Sequence, residues 1–149
     1  MASSCASAKA DGSYCYVVCN LATKEFKELP PSIHFVGEAR LGFDPIASSH
    51  FHVIEYIEEE QDDECKGVDI YSSKTTAWIY KESKWGPNTC VPIERLEETR
   101  SSETVYLNGC LHIMGYSGAY PQILVVDMEG ETWRKILRPH GSSPSIHQA

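Results

Sequence analysis

A chain of 149 residues with 42% hydrophobic and 23% charged residues has the make-up of an ordinary globular domain with one core. Its net charge of −8 comes without any cluster of Lys or Arg, so nothing supports sequence-independent nucleic-acid binding, which neutralises phosphates with basic side chains. No apolar run approaches the roughly 18–20 residues that span a bilayer, and neither nucleic acid nor a membrane is an expected partner.

Residues 1–13 are small and polar, show no periodicity and read as an irregular lead-in. They lack the apolar centre of a secretory signal, and the chain has no Asn-x-Ser/Thr acceptor, which points to a cytoplasmic or nuclear protein. The six cysteines show no paired spacing and are read as reduced thiols, with Cys15 and Cys19 sharing one face of a strand as small hydrophobes. Tyr14 to Asn20 alternates as a strand, and Glu25 to Leu29 is its partner, stopped by Pro30-Pro31, which cannot donate to a ladder. Arg40 to Asp44 and Phe51 to Ile57 follow. In the second of these, Phe51, Val53, Glu55 and Ile57 share one face and His52, Ile54 and Tyr56 the other, so both faces are expected to be buried.

Glu58 to Lys66 reads as a solvated acidic loop, and the seven acidic residues between positions 55 and 64 account for nearly all of the net charge. Gly67 to Tyr71 and Thr76 to Lys81 complete a four-stranded unit. Lys84 to Arg100 reads as a long connection with one helical turn. Thr104 to Leu107 and Cys110 to Met114 flank Asn108-Gly109, the dipeptide suited to a two-residue hairpin turn because both of its positions take positive φ. Ile123 to Asp127 and Thr132 to Leu137 form the last strand pair.

One pattern occurs three times: a strand ending in a small polar residue, a turn, and a second strand opened by an aromatic residue six positions on. The pairs are Asn20 with Phe26, Ser72 with Trp78, and Asp127 with Trp133, and the aromatics stand 52 and 55 residues apart. That period belongs to four-stranded propeller blades of the kelch size class. The expected fold is therefore all-β: a partial kelch-like β-propeller of about two and a half four-stranded antiparallel blades, with Phe26, Trp78 and Trp133 packed between adjacent blades. Propellers use about four to eight blades, so the chain is expected to be part of a longer protein, to form an open structure, or to complete itself with another chain.

No Gly-x-Ser-x-Gly elbow, His-Glu-x-x-His or Gly-rich phosphate loop is present, and a non-enzymatic role is expected. His50 and His52 with Cys65 fall short of a metal site, which takes three or four ligands in fixed geometry; neither metal nor cofactor is expected. The long loops at one end of the blades gather Glu59, Asp62, Lys84, Trp85, Tyr116 and Tyr120. Aromatic residues beside charges are the composition of a protein-contact surface.

Several segments together resemble the F-box-associated domain of plant F-box proteins. They are Val17-Val18-Cys19-Asn20-Leu21-Ala22-Thr23-Lys24 with Phe26-Lys-Glu-Leu-Pro-Pro31, Leu41-Gly-Phe-Asp-Pro45 with His52-Val-Ile54, Val68-Asp-Ile-Tyr-Ser-Ser73 with Trp78, and Val105-Tyr-Leu-Asn-Gly-Cys-Leu-His112 with Val125-Val-Asp127 and Trp133. The resemblance covers residues 14–149 and implies a kelch-like domain truncated at both ends and lacking the F-box. It also implies a role in capturing a protein substrate for an SCF-type ubiquitin ligase. Engagement of Skp1 and cullin is implied only for a full-length relative that carries the F-box. A carbohydrate-binding propeller module, or a degenerate fragment without function, are the alternative expectations.

Overall fold

The computed structural model describes residues 2–8, 14–20, 22–34, 39–58, 64–91, 104–118 and 120–137. Every regular element among them is a β-strand, and the strands form three antiparallel sheets. The first sheet holds β1 (Ala2–Ala8), β2 (Tyr14–Asn20) and β3 (Glu25–Glu28), in that order. The second runs β4 (Ala39–Phe43), β5 (Phe51–Glu58), β6 (Cys65–Ser72) and β7 (Ala77–Glu82). In the third, β10 (Cys110–Ser117), β11 (Tyr120–Asp127) and β12 (Trp133–Leu137) are successive neighbours. Both β8 (Thr89–Cys90) and β9 (Thr104–Leu107) pair with the other edge of β10. No helix among the described residues is long and apolar enough to cross a membrane.

Two expectations change here. Residues 2–8 are a strand rather than part of an irregular lead-in, paired along β2 from Ala2 opposite Asn20 to Ala8 opposite Tyr14. A ladder needs only backbone N–H and C=O groups, so a run of Ala and Ser can pair without displaying the alternation by which strands are recognised. The first sheet consequently has three strands, not the two of a half unit. The segment after β7 also contributes β8, while the remainder of the expected connection, 92–100, lies outside the described residues. The hairpin between β9 and β10 agrees with expectation, Asn108 and Gly109 having φ of 54° and 77°.

The threefold pattern is built with one register. The polar residue is the last of its strand in each copy, and the aromatic residue stands opposite the residue before it: Phe26 opposite Cys19, Trp78 opposite Tyr71, Trp133 opposite Val126. Each polar side chain closes its turn by accepting backbone hydrogen bonds. Asn20 Oδ1 accepts from Ala22 (3.0 Å) and Thr23 (3.4 Å), Ser72 Oγ from Lys74 (3.2 Å), and Asp127 Oδ1 from Glu131 (2.8 Å) and Thr132 (3.1 Å). This is the local bonding that suits Asn, Ser and Asp to turns.

The sheets stack face to face. Tyr16, Val18 and Leu29 of the first meet Val53, Tyr71 and Trp78 of the second. Ile54, Tyr56, Val68 and Ile70, from the opposite face of the second, meet Leu111, Ile113, Leu124 and Val126 of the third, with Trp133 alongside. The middle sheet is thus buried on both faces, as the composition of β5 implied. Trp78 crosses to the first sheet, where its indole N–H donates to the Pro30 carbonyl (2.9 Å) and its ring lies 6.0 Å from Tyr16.

Phe26 departs from the expectation that it packs between sheets. It occupies the repeat position of Trp78 and Trp133 but belongs to the first sheet of the stack, faces away from the second, and is 75% exposed. Across the second seam Lys81 Nζ meets Glu131 Oε2 at 2.7 Å, and this contact holds the Glu131 carboxyl below the usual range. Beside it Gly130 has φ of +72°, and a Cβ there would fall 2.4 Å from Lys81 Cγ. Gly130→Ala should therefore force the third sheet off the second and cost about 1–3 kcal/mol. Chemical denaturation of the variant reads this directly.

Candidate functional site

The seam between the first two sheets carries the most distinctive chemistry in the molecule. β5 and β6 place Glu55 opposite Asp69 on the face turned to the first sheet, and both side chains are fully buried. Two carboxylates directly opposite one another on a sheet repel, and burial strengthens the effect unless donors surround them. The donors come from the first sheet and the crossover that leaves it. Tyr16 donates its hydroxyl to Glu55 Oε2, and Ser32 Oγ lies 3.4 Å from the same oxygen. The backbone N–H of His34 donates to Asp69 Oδ2 at 3.0 Å, while its Nδ1 lies 3.0 and 3.2 Å from the two Asp69 oxygens. An ionised carboxylate only accepts, so the Nδ1 contacts are hydrogen bonds in the tautomer that carries its proton on Nδ1. The ring also leans on Tyr80, at 5.3 Å between centroids.

These contacts act as a clamp. They tie the Pro30–His34 crossover to the second sheet, and with the Trp78–Pro30 bond they fix the angle at which the two sheets meet. Sequence reading noted Glu55 on the face of Phe51 and Val53 but found no carboxylate pair. The signal was a lone acid within each of two apolar strands, Ile54-Glu55-Tyr56 and Val68-Asp69-Ile70.

At the other end of the same seam the sheets part. The space between them, about 470 Å³, is lined by Val18, Leu41, Phe43 and Phe51, with Glu25 and Lys27 at its rim. Phe26 and Cys19 also border it. The seam is therefore graded: an open cleft with aromatic walls, then the apolar cluster around Val53 and Tyr71, then the carboxylate clamp. An apolar lining with a few charged groups at the mouth is the make-up of a binding cleft.

The loop residues expected to form a contact surface do not come together. Trp85 is 4% exposed and belongs to the core of the second seam. Its indole N–H donates to the Val125 carbonyl at 3.1 Å, and its ring meets Trp133 edge-on at 4.8 Å. It is a packing residue, because the loop after β7 turns it inward over β11. Tyr116 and Tyr120 are both exposed, but their register puts them on opposite faces of the β10–β11 hairpin: Tyr116 is opposite Pro121, and Tyr120 opposite Ser117. Lys84 is exposed, and Glu59 and Asp62 lie outside the described residues. Asn20, Ser72 and Asp127 are the turn acceptors already described.

Among the described residues no three of His, Cys, Asp and Glu come together to hold a metal ion. His52 sits half-buried on β5, and burial lowers its pKa; His50 precedes the strand, with Nδ1 3.5 Å from Ser73 Oγ. Cys65 is a buried thiol in the second seam, and burial pushes its pKa up to about 12. Because the thiolate is the reactive form, we expect Cys65 in the folded protein to be alkylated at pH 8 roughly 100-fold or more slowly than in urea, as peptide mass spectrometry would read. Equal rates would place Cys65 outside the core.

No protein-family model matches the chain, and no curated protein matches it.

Proposed function

We propose that the chain is a protein-recognition module of the F-box-associated, kelch-like type, and that the cleft between its first two sheets receives an apolar side chain of the partner. The proposal takes the three sheets as successive blades of a propeller-like array. Three copies of one strand–turn–strand unit share a register, and in the second and third the aromatic residue crosses to the preceding sheet. The innermost strands also follow one another, β4 lying near both β1 and β9.

The observation that carries the binding role is the cleft itself. Phe43 and Phe51 give it an apolar wall, Lys27 and Glu25 offer both signs of charge at its mouth, and the carboxylate clamp joins the two sheets behind it. In an intact ligase subunit of this type, such a cleft would select the protein to be ubiquitinated.

The test is quantitative affinity capture with the folded chain beside Phe43→Ser and Lys27→Glu. Proteins enriched on the parent chain are expected to fall at least about tenfold on Phe43→Ser, which corresponds to a loss of about 1.4 kcal/mol, while melting is little changed. Identical capture by all three chains overturns the cleft as the site. Binding on a glycan array that survives Phe43→Ser would favour the carbohydrate-binding alternative.

A further inference from the structure

The cleft between the first two sheets is more specific than an apolar slot. On one side Phe43 and Phe51 stand directly opposite each other across β4 and β5, so both side chains line one wall, and the Phe51 ring continues it inward to Tyr71, 6.1 Å away. On the other side Val18 lies on β2 with Lys27 directly opposite it on β3, and Asn20 is opposite Glu25 one step nearer the turn. Strand alternation puts Lys27 and Glu25 on one face, about 7 Å apart along β3. Both are exposed, and neither side chain forms an ion pair or hydrogen bond with a described residue. Asn20 turns its Oδ1 to the amides of Ala22 and Thr23, which leaves Nδ2 as a further donor beside them. The volume, about 470 Å³, lies within the roughly 300–1,000 Å³ of small-molecule sites.

We infer that the cleft binds a free aromatic α-amino acid, with its ring against Phe43 and Phe51, its carboxylate on Lys27 and its ammonium group on Glu25. The inference rests on the reading of the cleft as a binding site, and it adds a small-molecule occupant that competes with the partner's side chain. Two features select this class. Phe43 and Phe51 on one wall and Val18 on the other suit a flat ring, which gains from offset or edge contacts beyond the area it buries. A cation and an anion two residues apart, neither engaged with the other, match a molecule that carries both charges on one carbon. A simple aromatic acid leaves Glu25 unmatched, and a simple aromatic amine leaves Lys27 unmatched. The Asn20 amide adds a donor for the carboxylate. Because both charges stay at the mouth, the ring enters the apolar part of the cleft without carrying a charge out of water.

Isothermal titration calorimetry of the purified chain tests this with L-phenylalanine and L-tryptophan, beside hydrocinnamate, which lacks the ammonium group, and phenethylamine, which lacks the carboxylate. An amino acid should bind with a Kd on the order of 0.1 mM. Each analogue should bind about three- to fivefold more weakly, the worth of an ion pair at an exposed mouth. Lys27→Glu should weaken the amino acid and hydrocinnamate but strengthen phenethylamine, and Glu25→Lys should weaken the amino acid and phenethylamine but strengthen hydrocinnamate. A merely structural effect of either substitution moves all the ligands together. Phe43→Ser should abolish binding of each. No binding of either amino acid at millimolar concentration overturns the inference, as do equal affinities for amino acid, acid and amine, or charge variants that shift all of them alike. The protein-recognition reading is judged separately. Protein capture that depends on Phe43, in a chain that binds no amino acid, refutes the small-molecule occupant alone. Amino-acid binding lost in Phe43→Ser, with capture indifferent to that substitution, refutes the partner's side chain as occupant and leaves this inference standing. Where both hold, excess L-tryptophan should release the captured proteins, and their retention overturns the competition.

Discussion

Trp85→Ala should destabilise the fold by about 3–5 kcal/mol, the usual cost of truncating a buried large aromatic residue. Three losses combine. The indole is 4% exposed and fills the second seam beside Val91 and Met128. Its N–H satisfies the Val125 carbonyl on β11, and its ring supports Trp133 edge-on, a contact worth about 0.5–1.5 kcal/mol beyond area. Urea denaturation followed by circular dichroism gives the number. Unchanged stability combined with lost partner capture would return Trp85 to the contact role that its sequence neighbourhood suggested. Trp85→Phe keeps most of the volume but drops the donor, and should recover more than half of the loss.

Trp78→Ala should cost a comparable amount, about 3–5 kcal/mol, and should act on a different seam. The ring lies 5.5 Å from Tyr71 and 6.0 Å from Tyr16, and the indole N–H holds the Pro30 carbonyl. Its removal loosens the first sheet and the crossover together, so backbone amides of β2 should lose hydrogen-exchange protection before those of β11. Phe26→Ala, at the same repeat position but with an exposed ring, should change the stability of the single chain by no more than about 0.5 kcal/mol. Similar losses from both substitutions would mean that the first sheet is capped by something that buries Phe26.

These two variants mark where sequence reading succeeds and where it stops. The six-residue spacing from Ser72 to Trp78 is set by one turn and one register, both local, and it was legible. The Asn108-Gly109 turn was legible for the same reason. Which face of a sheet is covered depends on neighbours far along the chain, and so Phe26 and Trp78 look alike in sequence yet differ in exposure. Trp85 lies between Lys84 and Gly86, a polar setting that says nothing of Val125, forty residues on. The Glu55–Asp69 pairing was hidden because the acidic loop between β5 and β6 gives no register, and the ladder shifts between Ile57 and Glu58. β1 escaped notice because Ala and Ser carry no alternation. The candidate cleft was not legible at all: its walls come from β2, β3, β4 and β5, and no single stretch shows them together.

The order of strands has a kinetic corollary. In the first two sheets, and from β9 to β12 in the third, every strand pairs with its neighbour in sequence, so each sheet can form from short-range hairpins on a fast timescale. The clamp cannot. Asp69 gains the His34 contacts only when the crossover arrives, and Glu55 gains the Tyr16 hydroxyl only when the first sheet arrives. Until both dock, the middle sheet holds two facing acids with none of these donors, which disfavours a partly assembled stack. The same pair of residues that joins two sheets in the finished fold therefore makes their assembly all-or-none, and a stopped-flow experiment on Asp69→Asn should find docking, not hairpin formation, to be the step that changes.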